Sequence, residues 1–428
     1  MKLELRKIHI KSVEFGQETK IEGERLIICK ESLISELEKI PNVKSIDIDL
    51  AMPGEKTRII PVKDVIQPRY KVEGVSGFAG VTSEVGQHGS GVVNIVDGAA
   101  IVTIGDIVGF QEGIIDMWGE GAKWTPFSKT CNIVVDISVP DNLEPHEHEE
   151  ACRLVGLKAS ELVGMAAKGH TSDDVEIYEM GDNVEETKKY PDLPKVVYVE
   201  MLISQGLLHA SYIYGVDSAH ILPTFLHPNE ELDGAVISGN CVAACDKITT
   251  YQHQNNAVIK ELYKLHGKEI NFLGVVLVPE MTTLNGKFVS CDYTAKLCKM
   301  LGADGVIVSE EGYGNPDTDL VMICSRVEKL GIKSVLITDE CSGWDGMSQP
   351  LTDVAKEAVA VVSTGNVSHV IELEKADRVL GDPEAVANIA GGWAGAYNPE
   401  DGTMKCELNA VIGATSEIGT HNATVELY

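Results

Sequence analysis

The 428-residue chain is 44% hydrophobic and 24% charged, with a formal net charge of -29. These are the proportions of a soluble globular protein with room for two or three domains and sizeable cores. The charge would repel nucleic acid and anionic membranes, so neither is expected as a partner.

The first ten residues, Met1 to Ile10, alternate charged with apolar side chains and lack the apolar core of a signal peptide. No run approaches the roughly 18 apolar residues of a membrane span. The ten cysteines are scattered through the strands and helices expected below, and none forms a Cys-x-x-Cys pair. A reducing, cytoplasmic setting is therefore expected, without a zinc ribbon or a thioredoxin-like centre.

In chain order, Leu3 to Phe15 and Lys20 to Cys29 read as an N-terminal hairpin around Gly16-Gln17-Glu18. Ser32 caps a short predicted helix that ends at Pro41-Asn42. Val43 to Leu50, Lys56 to Val72, Val92 to Phe110 and Asn132 to Val139 supply further strands, with a glycine-rich connector from Gly74 to Gly91. A helix opened by Asp141 or Asn142, with Pro145 in its first turn, runs to about Ala167. Its start brings together His146, His148 and Glu150, an imidazole and carboxylate set that suits zinc or iron. The spacing is not His-Glu-x-x-His, and an acidic first turn that complements the helix dipole accounts for the same residues.

From Ser172 to Lys195 the chain turns acidic, and Pro191 and Pro194 stiffen its exit, which marks a domain boundary. Beyond it apolar runs alternate with helix-like segments: Val196 to Ile203, Ala235 to Ser238, Ile270 to Val278, Gly305 to Ser309, Ser334 to Thr338, Val359 to Ser363 and His369 to Leu373. The expected architecture is a mostly β N-terminal domain, 1-190, with a helix near 143-167, followed by a doubly wound, largely parallel α/β domain, 191-428.

In such a sheet the loops after the strands share one rim, where ligands bind. On that rim Gly314, Asn315 and Asp317 begin a helix, with Asn315 as its cap and Pro316 next, and backbone N–H groups there suit a substrate carboxylate. Glu310, Glu311 and Glu340 are candidates for general acid or base, and Asn366 lies on a loop of the same rim. Cys241 would stand there too, after the apolar run Ala235 to Ser238 and the pair Gly239-Asn240. A thiolate held against its own upstream carbonyl can attack it and turn the Asn240-Cys241 peptide into a thioester, with Gly239 supplying backbone freedom.

The segment Ser238-Gly239-Asn240-Cys241-Val242-Ala243-Ala244-Cys245-Asp246-Lys247 resembles the processing site of the component B proprotein of the glycine, sarcosine and betaine reductases. Further blocks carry the resemblance along nearly the whole chain: Ile59 to Ile66, Val108 to Met117, Tyr190 to Lys195, Gln205 to His209 and Gly312 to Leu320. Ser218 to His220, Glu280 to Leu284 and Cys341 to Trp344 depart from the family pattern near the expected substrate loops, so they bear on the choice of substrate.

The resemblance implies cleavage into 1-240 and 241-428, with Cys241 converted to a pyruvoyl group that binds the amine substrate as a Schiff base. It further implies three protein partners: a selenoprotein subunit of component B whose selenolate displaces the substrate nitrogen, the small selenoprotein A, and the acetyl phosphate-forming component C. The chain is thus expected in a hetero-oligomer. Two alternatives stay open: a pyruvoyl-dependent decarboxylase, and a non-catalytic scaffold that docks the selenoprotein and keeps the Asn240-Cys241 bond intact.

Overall fold

The computed structural model describes residues 1–74, 76–86, 88–108, 112–204, 211–239 and 248–419. The fold is α/β, with mixed sheets in the first part of the chain and a largely parallel sheet in the second.

Five parallel strands lie side by side in the order Asn271–Pro279, Lys195–Leu202, Gly305–Ser309, Lys333–Glu340 and Ala360–Asn366, with Thr224–Leu226 antiparallel at one edge. The two central runs are rich in valine because both of their faces are covered. On one face Val197, Val199, Met201, Val276 and Val308 pack under the helices Leu284–Leu301 and Asn315–Lys329. On the other, Tyr198, Leu202, Phe272 and Val275 meet Ile259 and Leu262 of the helix Ala257–Leu265, together with Leu3 and Val93 from the first part of the chain. Each such side chain contributes about 1.5–3 kcal/mol by leaving water.

The first part builds two sheets. One orders Asp174–Glu179, Lys2–His9, Gly91–Asp97 and Arg69–Lys71; the other centres on Thr57–Ile66 and Ala99–Gly105 and gains Arg378–Gly381 from the far end of the chain. All ten residues of Thr57–Ile66 are buried, three of them charged and each of these partnered. Arg58 grips Asp116 through two hydrogen bonds (2.7 and 2.8 Å), Lys63 reaches Glu112 (2.9 Å), and Asp64 accepts from Thr250.

Several local expectations are corrected. The N-terminal hairpin is instead Lys20–Glu22 with Arg25–Ile28, because Lys2–His9 leaves to pair with Gly91–Asp97 and Asp174–Glu179. The first helix starts at Lys30 after Cys29, without a side-chain cap from Ser32. The long helix is Pro145–Gly164, opened by Glu144 and Glu147 in a capping box rather than by Asp141 or Asn142. Val236–Ile237 pairs antiparallel with Tyr212–Ile213 rather than joining the parallel sheet. Val236 faces one core and Ile237 another, so the run is buried on both sides without parallel neighbours. Val370–Leu373 likewise pairs only with Met404–Glu407.

Glu176, on the strand beside Lys2–His9, lies 2.5 Å from Lys7 and 3.5 Å from Lys260. Burial works to raise its pKa, but the two ammonium groups outweigh burial and hold the carboxyl at about 2, below its ordinary 4.5. A depressed carboxyl stabilises the fold above its unfolded pKa, and that stability is lost as pH falls from about 4.5 towards 2. Glu176→Gln is expected to flatten the acid limb of the melting temperature against pH in that window; a slope equal to wild type would exclude this role.

Candidate functional site

The carboxyl ends of the parallel strands carry an unusual number of buried acids. Glu200, Glu280, Glu310 and Glu311 are all fully buried at or just past strand ends. Burial pushes the carboxyls of Glu280 and Glu310 well above the ordinary range, and neighbouring acids push the same way. This direction favours the protonated form, which can donate a proton or a hydrogen bond. Glu280 Oε2 and Glu310 Oε2 have no hydrogen-bond partner among the described residues. Glu310 and Glu311, candidates for general acid or base, are fully buried just past the end of the strand Gly305–Ser309.

Glu311 organises the site. Its Oε2 accepts from the backbone N–H of Ile203 (2.8 Å) and the hydroxyl of Ser211 (3.0 Å), and its Oε1 accepts from the N–H of Ile248 (3.3 Å). Its own N–H donates to Glu280 Oε1 at 2.9 Å. Ile203 and Ser211 stand either side of residues 205–210, and Ile248 directly follows residues 240–247. One carboxylate thus pins the approaches to both segments.

A second acid completes the frame. Thr250 donates to Asp64 through its N–H (3.0 Å) and hydroxyl (2.7 Å), and its oxygen accepts from the N–H of Ser238 (3.0 Å). Ser238 and Thr250, on opposite sides of the Cys241 segment, are therefore joined to each other and fixed to the first part of the chain.

Of the residues expected from sequence, Gly239 is described and buried at the end of this frame, whereas Asn240 and Cys241 lie outside the described residues. Gly314, not Asn315, caps the helix Asn315–Lys329: its φ of 80° is left-handed, which favours glycine, and its N–H donates to Asp317 Oδ1 at 2.7 Å. Asn315 is exposed and is the first helical residue. Asp317 is buried and also accepts from the N–H of Thr352 at 2.6 Å, so its carboxylate is engaged in holding the loop. Glu310 receives the hydroxyl of Thr338. Glu340 and Asn366 meet around Ser342, whose hydroxyl donates to Glu340 (3.0 Å) and whose N–H donates to Asn366 (3.0 Å). The structure therefore makes two corners of one rim, a buried acidic cluster at Glu280, Glu310 and Glu311 and a turn at Glu340 and Asn366.

His146, His148 and Glu150 lie at the start of the helix Pro145–Gly164. His146 and Glu150 are exposed, and they converge with no third ligand among the described residues. Burial, with the nearby Lys63 charge, pulls His148 down to about 4. Sequence reasoning missed Glu200, Glu231 and His253, which the fold gathers from distant positions. The one local signal was Glu200, a lone charge inside an otherwise apolar strand.

No described cysteine is set up as a nucleophile at this frame. Burial pushes the thiols of Cys131 and Cys152 up to about 11 and those of Cys291, Cys298 and Cys406 up to about 12.

The fold and this rim define an α/β protein with an acid-lined site at the carboxyl edge of a parallel sheet. Residues 1–426 match the family of glycine/sarcosine/betaine reductase component B subunits, and the chain belongs to that family. It is 52% identical, over 98% of both chains, to the glycine reductase complex component B subunits alpha and beta of Peptoclostridium acidaminophilum. From the same organism, the sarcosine reductase complex component B subunit alpha is 48% identical and the betaine reductase complex component B subunit alpha 38% identical, each over the full length of both chains. No solved structure matches the chain. It is an oxidoreductase component of the amino-acid reductase kind. No helix among the described residues is long and apolar enough to cross a membrane.

Proposed function

We propose that this chain is the substrate-binding, self-cleaving component B precursor of an amino-acid reductase, and that the Asn240-Cys241 bond is the one cut. The observation that carries this reading is the frame of Glu311 and Asp64, which fixes Ser238, Ile248 and Thr250 on both sides of the Cys241 segment. A related single chain, matched along 98% of its length, bears the name of two subunits, alpha and beta, as a precursor would.

An N-to-S acyl shift makes an Asn240 thioester on Cys241, and water hydrolyses it to the Asn240 carboxylate and an N-terminal cysteine; loss of hydrogen sulfide and then ammonia, with gain of a second water, gives a pyruvoyl group. That carbonyl supplies an electrophile able to hold an amine substrate covalently and turn its nitrogen into a better leaving group. The chain's own residues do the rest. Glu311 and Asp64 hold the backbone in register; Glu280 and Glu310, whose burial favours the protonated form, can hand a proton to the departing nitrogen. The Glu340 and Asn366 corner bounds the substrate on the other side.

Higher identity to the glycine and sarcosine relatives than to the betaine relative supports a primary or secondary amine as substrate. Both can condense with a carbonyl, whereas a quaternary nitrogen cannot. The chain contains no selenolate, so its nucleophile comes from a partner selenoprotein subunit, with a small selenoprotein and an acetyl phosphate-forming component taking the product onward. Purified chain is therefore expected to give no turnover of glycine or sarcosine until the selenoprotein subunit is added. Turnover by the chain alone would overturn the proposal, and carbon dioxide released from the amino acid without any thiol reductant would replace it with a decarboxylase.

A further inference from the structure

We propose that Glu200, Glu231 and His253 form a binding site for one divalent transition-metal ion of the zinc or iron(II) class. The three side chains come from the strand Lys195–Leu202 and the short helices Pro228–Leu232 and Thr250–Gln254, and all three are fully buried. One ligand atom from each lies within 4.8 Å of the others. His253 Nδ1 stands 3.2 Å from Glu200 Oε1 and 3.7 Å from Glu231 Oε1. A tetrahedral ion with bonds of about 2.0–2.1 Å sets its ligand atoms about 3.3 Å apart, between those two separations.

The second observation is that each of the three side chains keeps at least one orphaned polar atom. Glu200 Oε1, Glu231 Oε2 and both ring nitrogens of His253 have no hydrogen-bond partner among the described residues, although each is sealed from water. A buried polar atom left so costs about 1–3 kcal/mol, and a cation at the centre of the three would satisfy one atom on each side chain. Asn256 already orients the carboxylates, its Nδ2 donating to Glu231 Oε1 at 2.7 Å and to Glu200 Oε2 at 3.4 Å, as outer partners of metal ligands do. Nitrogen and carboxylate donors without thiolate suit zinc and iron(II). The rival occupant is a proton. The two carboxylates, against the opposing effect of burial, push His253 up to about 10, which would hold an imidazolium between them. The site lies beside Glu311, whose carboxyl feels the His253 charge.

The test is metal content of the full-length protein, purified without chelator, by inductively coupled plasma mass spectrometry, with calorimetric titration of zinc chloride and ferrous salt into chelator-stripped protein. One equivalent per chain is expected, with uptake abolished in His253→Gln and Glu200→Gln and affinity weakened roughly 10- to 100-fold in Asn256→Ala. Circular dichroism and melting curves identify any variant that fails to fold, and the wild-type stoichiometry decides the matter without the variants. Stripped wild-type protein that takes up neither metal, or folded His253→Gln protein that takes up as much as wild type, overturns the site in favour of the imidazolium. The readout is independent of chain cleavage, so it stands or falls apart from the proposed function.

Discussion

A Cys241→Ala chain is expected to stay one full-length polypeptide and to support no amine reduction even with every partner present. Alanine keeps the volume small but removes the sulfur proposed to attack the Asn240 carbonyl, so neither the thioester on residue 241 nor the pyruvoyl group is expected to form. Burial raises the thiols of Cys291, Cys298 and Cys406 to about 12, so none of these three is poised to substitute. Gel electrophoresis under denaturing conditions separates one band from two, and circular dichroism shows whether the variant has folded. Cleavage of the Ala variant at the same bond would exclude Cys241 as the nucleophile.

Glu311→Gln is the more revealing change. The side chain keeps its shape, and its amide oxygen can still receive the N–H of Ile203 and the hydroxyl of Ser211. The amide nitrogen, however, now faces the N–H of Ile248, donor against donor. Leaving one buried donor unmatched costs about 1–3 kcal/mol. That loss falls on the residue that follows the Cys241 segment, so processing is expected to slow by roughly 10- to 100-fold, with a smaller loss of global stability. Glu311→Ala frees all three donors and is expected to destabilise the whole fold as well. Cleavage followed over time, beside thermal melts of the same samples, separates the effects. Unchanged cleavage in a destabilised Gln variant would make Glu311 a purely structural residue.

Much of this architecture was legible in the sequence, and the exceptions have physical causes. The parallel strands announced themselves because strands covered on both faces must be largely apolar, as Phe272 to Val278 is throughout and Val196 to Leu202 is apart from Glu200. Ala235 to Ser238 met the same rule yet joined another sheet, since an apolar run reports burial and not its neighbours. The helix near Gly314 was anticipated, but its cap shifted by one residue: Asp317 reaches back to the Gly314 N–H, and only a left-handed backbone at that point lets the chain enter the helix. Cys241 was found through a family resemblance rather than through spacing. Glu311 was singled out as one acid among several, and its bonds to three residues far apart in the chain exist only after folding. Glu200, Glu231 and His253 left no motif at all, because each comes from a different element.

The most direct measurement is the mass of the purified, denatured wild-type protein, with and without borohydride in the presence of glycine or sarcosine. Two fragments are expected, one ending at Asn240 and one beginning at position 241, the second lighter than a cysteine N-terminus allows and heavier after trapping with the amine. A single chain of full mass, from protein made together with its selenoprotein partner and active in turnover, would contradict self-cleavage and leave the chain a scaffold.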